Sequence, residues 1–435
     1  MSEIFKPGKL TFVLDGGAGS SAKGIRGANI WRHMKSDHTK FAINTFMENA
    51  AHSIAHTDDK EMVHQCLSSV TTLPGCETQF ISPGAVFAVD TFTKEIDKAN
   101  KFIVDLPDPN WTSSKTPINS NTVKIHPNLA LVTEKDVLYE KGLVDFEGNK
   151  KDVQESLNLK IGSTLHGVGA ARARRVLRRP DALIARDVPE LASYVANTNE
   201  LIMERLAMGE SGLGEIAQGY QLSLMSRFYP RTTSRNCSVS AFLDDSLLPP
   251  SVCGPVVVNF RTFPIRVNNN KYVRKSDGKI LTWAEFNETK DEDKTIVKGN
   301  SGDGYPDQKE LSWDEISASA GDKIFECTTL TKLPRRAFSF SKINLLEALI
   351  FNNTGDDVYI SVNFINYVDA SVRGKRTLNE VLTPKVIKWI KENIWSDELV
   401  TQYKTNKINI KGLFIGTWKT IDDSVFIDIR NLLKL

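Results

Sequence analysis

The sequence has no C-x-x-C pair. Its five cysteines, Cys66, Cys76, Cys237, Cys253 and Cys327, are odd in number and scattered. Such a set offers no paired-thiol framework and fits reduced thiols in a cytosol. No apolar run approaches the ~20 residues that a membrane span needs, so no membrane partner is expected. Net charge is nearly absent, +2 at pH 7, so no bulk basic field points to nucleic acid. Internal repeats and low-complexity tracts are missing. The first residues, MSEIFKPGK, carry no signal-peptide apolar core, and the expected location is cytoplasmic. The Walker A pattern is also absent, because Lys23 is followed by Gly24 rather than by Ser or Thr.

What is present is an ordinary globular composition, 40% hydrophobic and 25% charged over 435 residues. That length holds one large α/β domain or two to three smaller ones. The chain is organised around residues 9–27, KLTFVLDGGAGSSAKGIRG. Lys9 to Asp15 reads as a short buried strand. Gly16, Gly17, Ala18 and Gly19 turn the chain with little side-chain bulk, and Lys23 opens a helix reaching Trp31. Free N–H groups, a helix dipole and a lysine converge there as an anion site. A tight strand–helix turn with a surface lysine is the plainer reading of the same residues.

Residues 41–56 begin as a strand and then present Asn49, His52, Ser53 and His56 around two alanines. Residues 98–126 read as a long polar surface excursion. In 161–179, Ser163 and Thr164 sit among glycines before a helix bearing Arg172, Arg174, Arg175, Arg178 and Arg179. Hydroxyls with arginines suit phosphate. A solvated basic helix or a nucleic-acid contact is the alternative, and most of these arginines are expected to be structural or solvated. Gln218 offers an amide for a base edge, and Thr233 another hydroxyl. GPVVVNFRTFPIRV (254–267) is a buried-strand run. Residues 268–326 are polar and loop-rich, with helix starts near TWAEF and SWDEIS. CTTLTKLPRRAFSF (327–340) places three threonines, Thr328, Thr329 and Thr331, near Arg335 and Arg336. DDVYISVNF (356–364) and KINIKGLFIG (407–416) are two more strands, separated by an amphipathic helix with Val386, Ile387, Ile390 and Ile394 on one face. Strands alternating with helices favour a mixed, largely parallel sheet.

In order, GSSAKGI (19–25), NAAHS (49–53), STLHGVGA (163–170) with Arg178, IAQG…YPRTTSRN (216–236) and TKLPRR (331–336) resemble the motifs of the adenylosuccinate synthetase family across nearly the whole chain. The resemblance implies a P-loop-related α/β fold: a single large domain over 1–435 with a central, mostly parallel sheet flanked by helices and excursions at about 98–126 and 268–326. It implies a ligase that transfers the γ-phosphate of a nucleoside triphosphate to O6 of a purine monophosphate. The amine of L-aspartate then displaces that phosphate at C6. By resemblance, His52 is the general acid, and Lys23 with Gly19, Ser21, Ala22, Gly24 and Ser53 holds the triphosphate. Asn49 and Gln218 face the purine. Thr164, Thr233 and Arg178 bind the 5′-phosphate, Arg178 across a homodimer. Arg335 or Arg336 with Thr328, Thr329 and Thr331 holds aspartate. Mg²⁺ is the implied metal, with Ser20 and the Ala51 carbonyl as its ligands.

Three departures carry more information. The family's loop Asp, which takes the N1 proton and ligates the metal, is Ser20 here, and the Glu after it is Ser21. Serine is a poor base. Either catalysis is lost, leaving a nucleotide-binding homologue, or the smaller side chain leaves room for a 2-amino group. The second pattern resembles the phage 2-aminoadenylosuccinate synthetases, which act on dGMP; the cytoplasm is then the host's. The family arginine that touches the ribose falls at Leu333, which fits a 2′-deoxyribose. The segment that reads guanine in GTP falls at NFIN (363–366), where Asn363 and Asn366 carry no carboxylate, so ATP or dATP is the expected donor. Phe364 offers a ring to stack on the donor base, with Gly416 and Trp418 closing its pocket. The expected reaction is dGMP, aspartate and ATP or dATP giving 2-amino-2′-deoxyadenylosuccinate, ADP and phosphate. An ordinary synthetase acting on IMP is the alternative within the class.

Overall fold

The computed structural model describes residues 4–106, 117–150, 157–327 and 332–432. Nine strands form its main sheet: β1 (Leu10–Asp15), β2 (Thr39–Asn44), β3 (Thr78–Ile81), β4 (Val123–Ile125), β5 (Ser211–Glu215), β6 (Cys253–Arg261), β7 (Asp357–Asn363), β8 (Asn409–Gly416) and β9 (Ser424–Asp428). Their spatial order is β9-β8-β7-β6-β1-β5-β2-β3-β4. Every neighbouring pair is parallel except β8 with β9. The expected mixed, mostly parallel sheet is therefore what forms. β1 lies at its centre, buried at every residue, because a strand covered by helices on both faces needs apolar side chains on both sides. Parallel strands all end at one edge, so Asp15, Asn44, Glu215, Arg261 and Asn363 arrive together there. That edge is where open α/β sheets bind ligands.

β5 was not expected, since SGLGE carries two glycines and a weak strand signal. The packing explains them. A Cβ on Gly212 would lie 2.4 Å from the Phe41 ring, and one on Gly214 2.9 Å from that of Phe12. The two glycines let rings from β1 and β2 fill the space that β5 vacates. Phe12 and Phe41 are fully buried, each contributing on the order of 2–3 kcal/mol by removal from water.

The excursions differ from expectation. Within 98–126, helix Val89–Val104 runs into the segment and β4 closes the sheet edge; residues 107–116 lie outside the described residues. Within 268–326, Lys271–Arg274 pairs with Lys294–Val297. Helices begin at Trp283 and Trp313 as the sequence suggests, each behind a capping box on Thr282 or Ser312. This segment also reaches the functional edge through Ser301 and Glu326, so it is part of the site rather than surface alone. The amphipathic helix appears as Pro384–Asn393, with Val386 and Ile390 buried and Ile394 buried just after its end. Among the described residues no helix is long and apolar enough to cross a membrane.

Candidate active site

The loop after β1 is held from below. The Asp15 carboxylate accepts from Gly17 N–H at 2.6 Å and Ser21 N–H at 3.2 Å. The Asn363 amide donates to the Ser21 carbonyl at 2.6 Å. Helix α1 (Lys23–Met34) starts with Ala22 in the left-handed region and has no side-chain cap, so its first N–H groups stay available to an anion. Lys23 is buried. Burial lowers its pKa, and the Asp15 carboxylate works against that shift.

Gly24 has a steric reason. A Cβ there would lie 2.9 Å from the Cβ of His52. His52 opens a hairpin, His52–Thr57 with Lys60–His64, that lays it over the helix start. The ring is buried, 4.1 Å from the Phe46 ring, and neither ring nitrogen has a hydrogen-bond partner. Its nearest ionic neighbour is the Glu215 carboxylate, 3.5 Å from Nδ1, beyond hydrogen-bond length. Burial, with Lys23 next, pushes His52 down to about 4, so the ring is neutral at pH 7. Glu215 stays ionised. Burial works against its charge, but His52 and Ser69 more than offset it, and it accepts from Ser68 Oγ at 2.8 Å and Ser69 N–H at 3.1 Å.

Gln218, just beyond β5, donates to Asn49 Oδ1 at 2.8 Å, which brings together the two amides that the resemblance assigns to the purine. Both line a cavity of 340 Å³ with Gly162, Ser163, Thr164, Thr233, Arg231 and Arg266. Thr164 and Thr233 thus line one cavity. Arg178 does not enter this cavity: it is exposed at the end of helix α2 (Val168–Val176). Three other arginines of that stretch are structural, while Arg172 stands 3.9 Å from Asp245 with a buried, unpartnered Nη1. Arg174 bonds Asp136 and Asp181, Arg175 the carbonyls of Pro83 and Asn128, and Arg179 Asp181.

On the far side of the loop, Arg335 Nη1 donates to Ser20 Oγ at 2.9 Å. Arg336 is taken out of contention: it is held by both oxygens of Glu310, by Asn269 and by the Gly302 carbonyl. Thr328, Thr329 and Thr331 lie outside the described residues. At the donor side, Asn366 is 1% exposed and neither amide atom has a partner. Asn363 is used differently from expectation. Its Oδ1 accepts from Arg26 while its Nδ2 holds the loop, so it is a brace rather than a base contact. Gly416 lies against that brace, where a Cβ would be 2.4 Å from Asn363 Oδ1. Phe364 is not a free stacking surface, because Arg261 lies over its ring at 3.9 Å. Trp418 is exposed beneath Arg373.

Non-glycine residues with positive φ gather in these same segments: Ser20, Ala22, Leu165, Arg178, Gln218, Lys332 and Phe364, against Leu247 and Lys407 elsewhere. Strained backbone of this kind concentrates where geometry serves a site.

No protein-family model matches the chain. The N6-succino-2-amino-2′-deoxyadenylate synthase of Salmonella phage PMBT28 is 29% identical over 396 residues, covering 86% of this chain and 92% of that protein. The chain is homologous to this phage synthase. Two solved structures share the fold. The succinoaminodeoxyadenylate synthetase of cyanophage S-2L, bound to dGMP and dATP as an energy donor, superposes with a TM-score of 0.66 at 23% identity, covering 98% of this chain and 97% of that one. Fully ligated adenylosuccinate synthetase from Plasmodium falciparum gives 0.63 at 14% identity, covering 97% and 100%.

Around Ser20 and His52 stand residues that the sequence did not single out. Glu215 stands three residues before Gln218, at the end of a glycine-rich stretch whose strand signal is weak. Arg261 ends β6 and donates to the Ser20 carbonyl at 2.8 Å. Glu326 receives Arg261 and the Tyr367 hydroxyl. Burial alone would raise its pKa, but Arg261 leads the effects that hold its carboxyl below the ordinary range. An arginine ending a hydrophobic strand and a glutamate in a polar stretch have no local signature; only the fold brings both towards Ser20.

Proposed function

We propose that this chain joins L-aspartate to C6 of dGMP, using ATP or dATP, to give N6-succino-2-amino-2′-deoxyadenylate, the nucleoside diphosphate and phosphate. The observation that carries this reading is Ser20: a short hydroxyl, paired with Arg335, stands at the loop position where a carboxylate is replaced, while His52 and Lys23 remain buried beside it. The space so opened suits a 2-amino group next to N1. Asn49 and Gln218 face the purine, and Thr164 and Thr233 its phosphate. Lys23 and the free N–H groups of Ala22, Lys23 and Gly24 hold the triphosphate, with Ser53 at its rim. His52, neutral before ligands enter and protonated once phosphate charge stands beside it, keeps Nδ1–H towards Glu215 and donates Nε2–H to the transferring phosphoryl group, whose developing charge it stabilises. Arg335, with the threonines 328, 329 and 331, holds the aspartate carboxylates so that its amine meets C6. As O6 takes the γ-phosphoryl group, the bond to the nucleoside diphosphate breaks and the N1 proton passes to water; the amine nitrogen then forms the new C–N bond and gives up a proton to water as the C6–O bond breaks and phosphate leaves.

Mg²⁺ fits this site only as a phosphate-bound ion. No cluster of three acidic, His or Cys side chains stands among the described residues, and the Ser20 hydroxyl already accepts from Arg335. The Ala51 carbonyl, and the Ser20 hydroxyl once Arg335 turns to the aspartate, would complete a shell supplied mainly by phosphate oxygens and water, as Mg²⁺ prefers. The metal would neutralise phosphate charge.

Phosphate release tests the assignment, with dGMP and with IMP, each with and without aspartate. Aspartate-dependent release that is faster with dGMP is the expected result. Equal or faster turnover of IMP would overturn the dGMP assignment, and no release with either would point to a nucleotide-binding homologue without activity.

The donor assignment rests on Asn366. A buried amide with both atoms unpartnered can accept from adenine N6 and donate to N1, whereas guanine asks for a carboxylate against N1–H and the 2-amino group. Asn366→Asp should raise kcat/KM for GTP relative to ATP by about 10-fold or more, since a charge-assisted pair adds roughly 1.5–3 kcal/mol. A wild-type protein that prefers GTP would sink this reading.

Arg178 supports a homodimer. It is exposed in the left-handed region, beside Val176 and Leu177, which are 70% and 61% exposed. Its guanidinium would complete the phosphate site of a second copy. Sizing with dGMP present checks this; full activity of a monomer would contradict it. A cytoplasmic location in an infected host accords with the phage origin of the relatives.

A further inference from the structure

Two arginines of the 340 Å³ cavity have no role in the family resemblance, and both hold unused donors. Arg266 is 6% exposed. Its Nη1 donates to the Ser301 carbonyl at 2.7 Å and its guanidinium lies over the Phe228 ring, but Nη2 is buried without a partner. Arg231, half-buried, has a buried Nε in the same condition, and so does the hydroxyl of Thr233 two residues on. The arginines meet at Gly302, where a Cβ would lie 2.5 Å from Arg266 Nη1 and 3.4 Å from Arg231 Cβ. Neither makes an ion pair among the described residues. The third arginine of the cluster, Arg336, is already neutralised by Glu310. Asp303 is the acidic group that acts on Arg266, and it forms no bond to it.

Buried donors without partners are costly, and so is a buried cation without a counter-charge. A fold that keeps both at one wall of a polar cavity keeps them for an anion. We propose that Arg231 and Arg266 form a cationic contact, within the same chain, for the phosphate of the nucleoside monophosphate. With Thr164 and Thr233 they give the phosphate two charges and two hydroxyls before any second copy adds Arg178. This rests on the reading above that the cavity takes a purine monophosphate, and it assigns residues that reading leaves out. The physical consequence is that the monophosphate binds one copy on its own, and Arg178 strengthens a site already charged.

The test is calorimetric titration of the full-length protein with dGMP and with deoxyguanosine. Arg231→Ala should bind dGMP about 10-fold or more weakly, as loss of a charge-assisted phosphate contact requires, and deoxyguanosine unchanged. Arg266→Lys keeps the charge in the buried position but loses the planar fork, and should weaken dGMP binding without touching deoxyguanosine. If both variants bind dGMP as the wild type does, or lose deoxyguanosine equally, the proposal is overturned. The same titrations with IMP separate the two claims. A loss confined to phosphorylated ligands, with IMP preferred over dGMP, supports the arginine pair and overturns the dGMP assignment. A wild-type protein that binds no purine monophosphate overturns both.

Discussion

Asn in place of His52 lowers kcat by about 10³, within the range for loss of a general acid that also stabilises developing charge, while KM for the monophosphate moves little. The ring touches Gly24 and Phe46, and its nitrogens make no hydrogen bond in the free chain. An amide of similar reach therefore disturbs little of the packing, and the loss falls on the chemical step. A second readout is stability against pH. The His52 pKa is depressed to about 4 from 6.5 in the folded chain. Between those values the unfolded chain holds more protons, so this residue's contribution is lost as pH falls from 6.5 towards 4. From pH 7 to pH 5 that is about 2 kcal/mol. His52→Asn should lose less in Tm over that interval than the wild type. His56, lowered to about 3 by burial first and then by His64, keeps its own share in both proteins. A variant with wild-type turnover removes His52 from the chemistry, and an identical pH dependence of Tm removes it as the titrating group.

Ala in place of Gly219 is the second large effect. Its φ of −139° suits alanine, so backbone preference is not the obstacle. A Cβ there would stand 2.3 Å from the Gly17 carbonyl oxygen and 2.6 Å from the Gly19 nitrogen. Both are backbone atoms of the phosphate loop, and they cannot rotate away as a side chain would. The Gln221 N–H bond to the Gly17 carbonyl, 3.0 Å, pins the turn against the loop. Overpacking of this kind costs about 1–3 kcal/mol. A displacement near 1 Å costs about 100-fold in rate, because Lys23, Ser20 and the free N–H groups move together. The expected outcome is a folded protein with a lowered Tm and kcat/KM down by about 100-fold or more. Full activity would show that the loop yields without cost, contrary to its bracing by the Asp15 carboxylate, the Asn259 carbonyl and the Asn363 amide.

Much of this was legible in the chain itself. β1, the turn of small residues and the helix from Lys23 are local: apolar run, glycines and a helix start follow one another within a few residues, and short-range rules read them. The late strands and the helix behind Pro384 stand on the same footing. His52, Asn49, Gln218, Thr164 and Thr233 stand out in the sequence because each sits among small or turn-forming residues, and their order along the chain matches a known pattern. What the tertiary structure alone decided is who faces whom. β5 carries too little side chain to announce a strand, and its glycines make sense only once Phe12 and Phe41 cross it. Asn363 and Asn366 are three residues apart and chemically identical; the fold spends one on Arg26 and the Ser21 carbonyl and leaves the other unpartnered. Arg335 and Arg336 are adjacent, and alternation along the backbone turns one to Ser20 and the other to Glu310. Arg231 and Arg266 stand 35 positions apart in sequence and come together only at Gly302. Sequence reports residue type and local spacing, whereas the direction of a side chain and the company it keeps are set by contacts between segments distant in the chain.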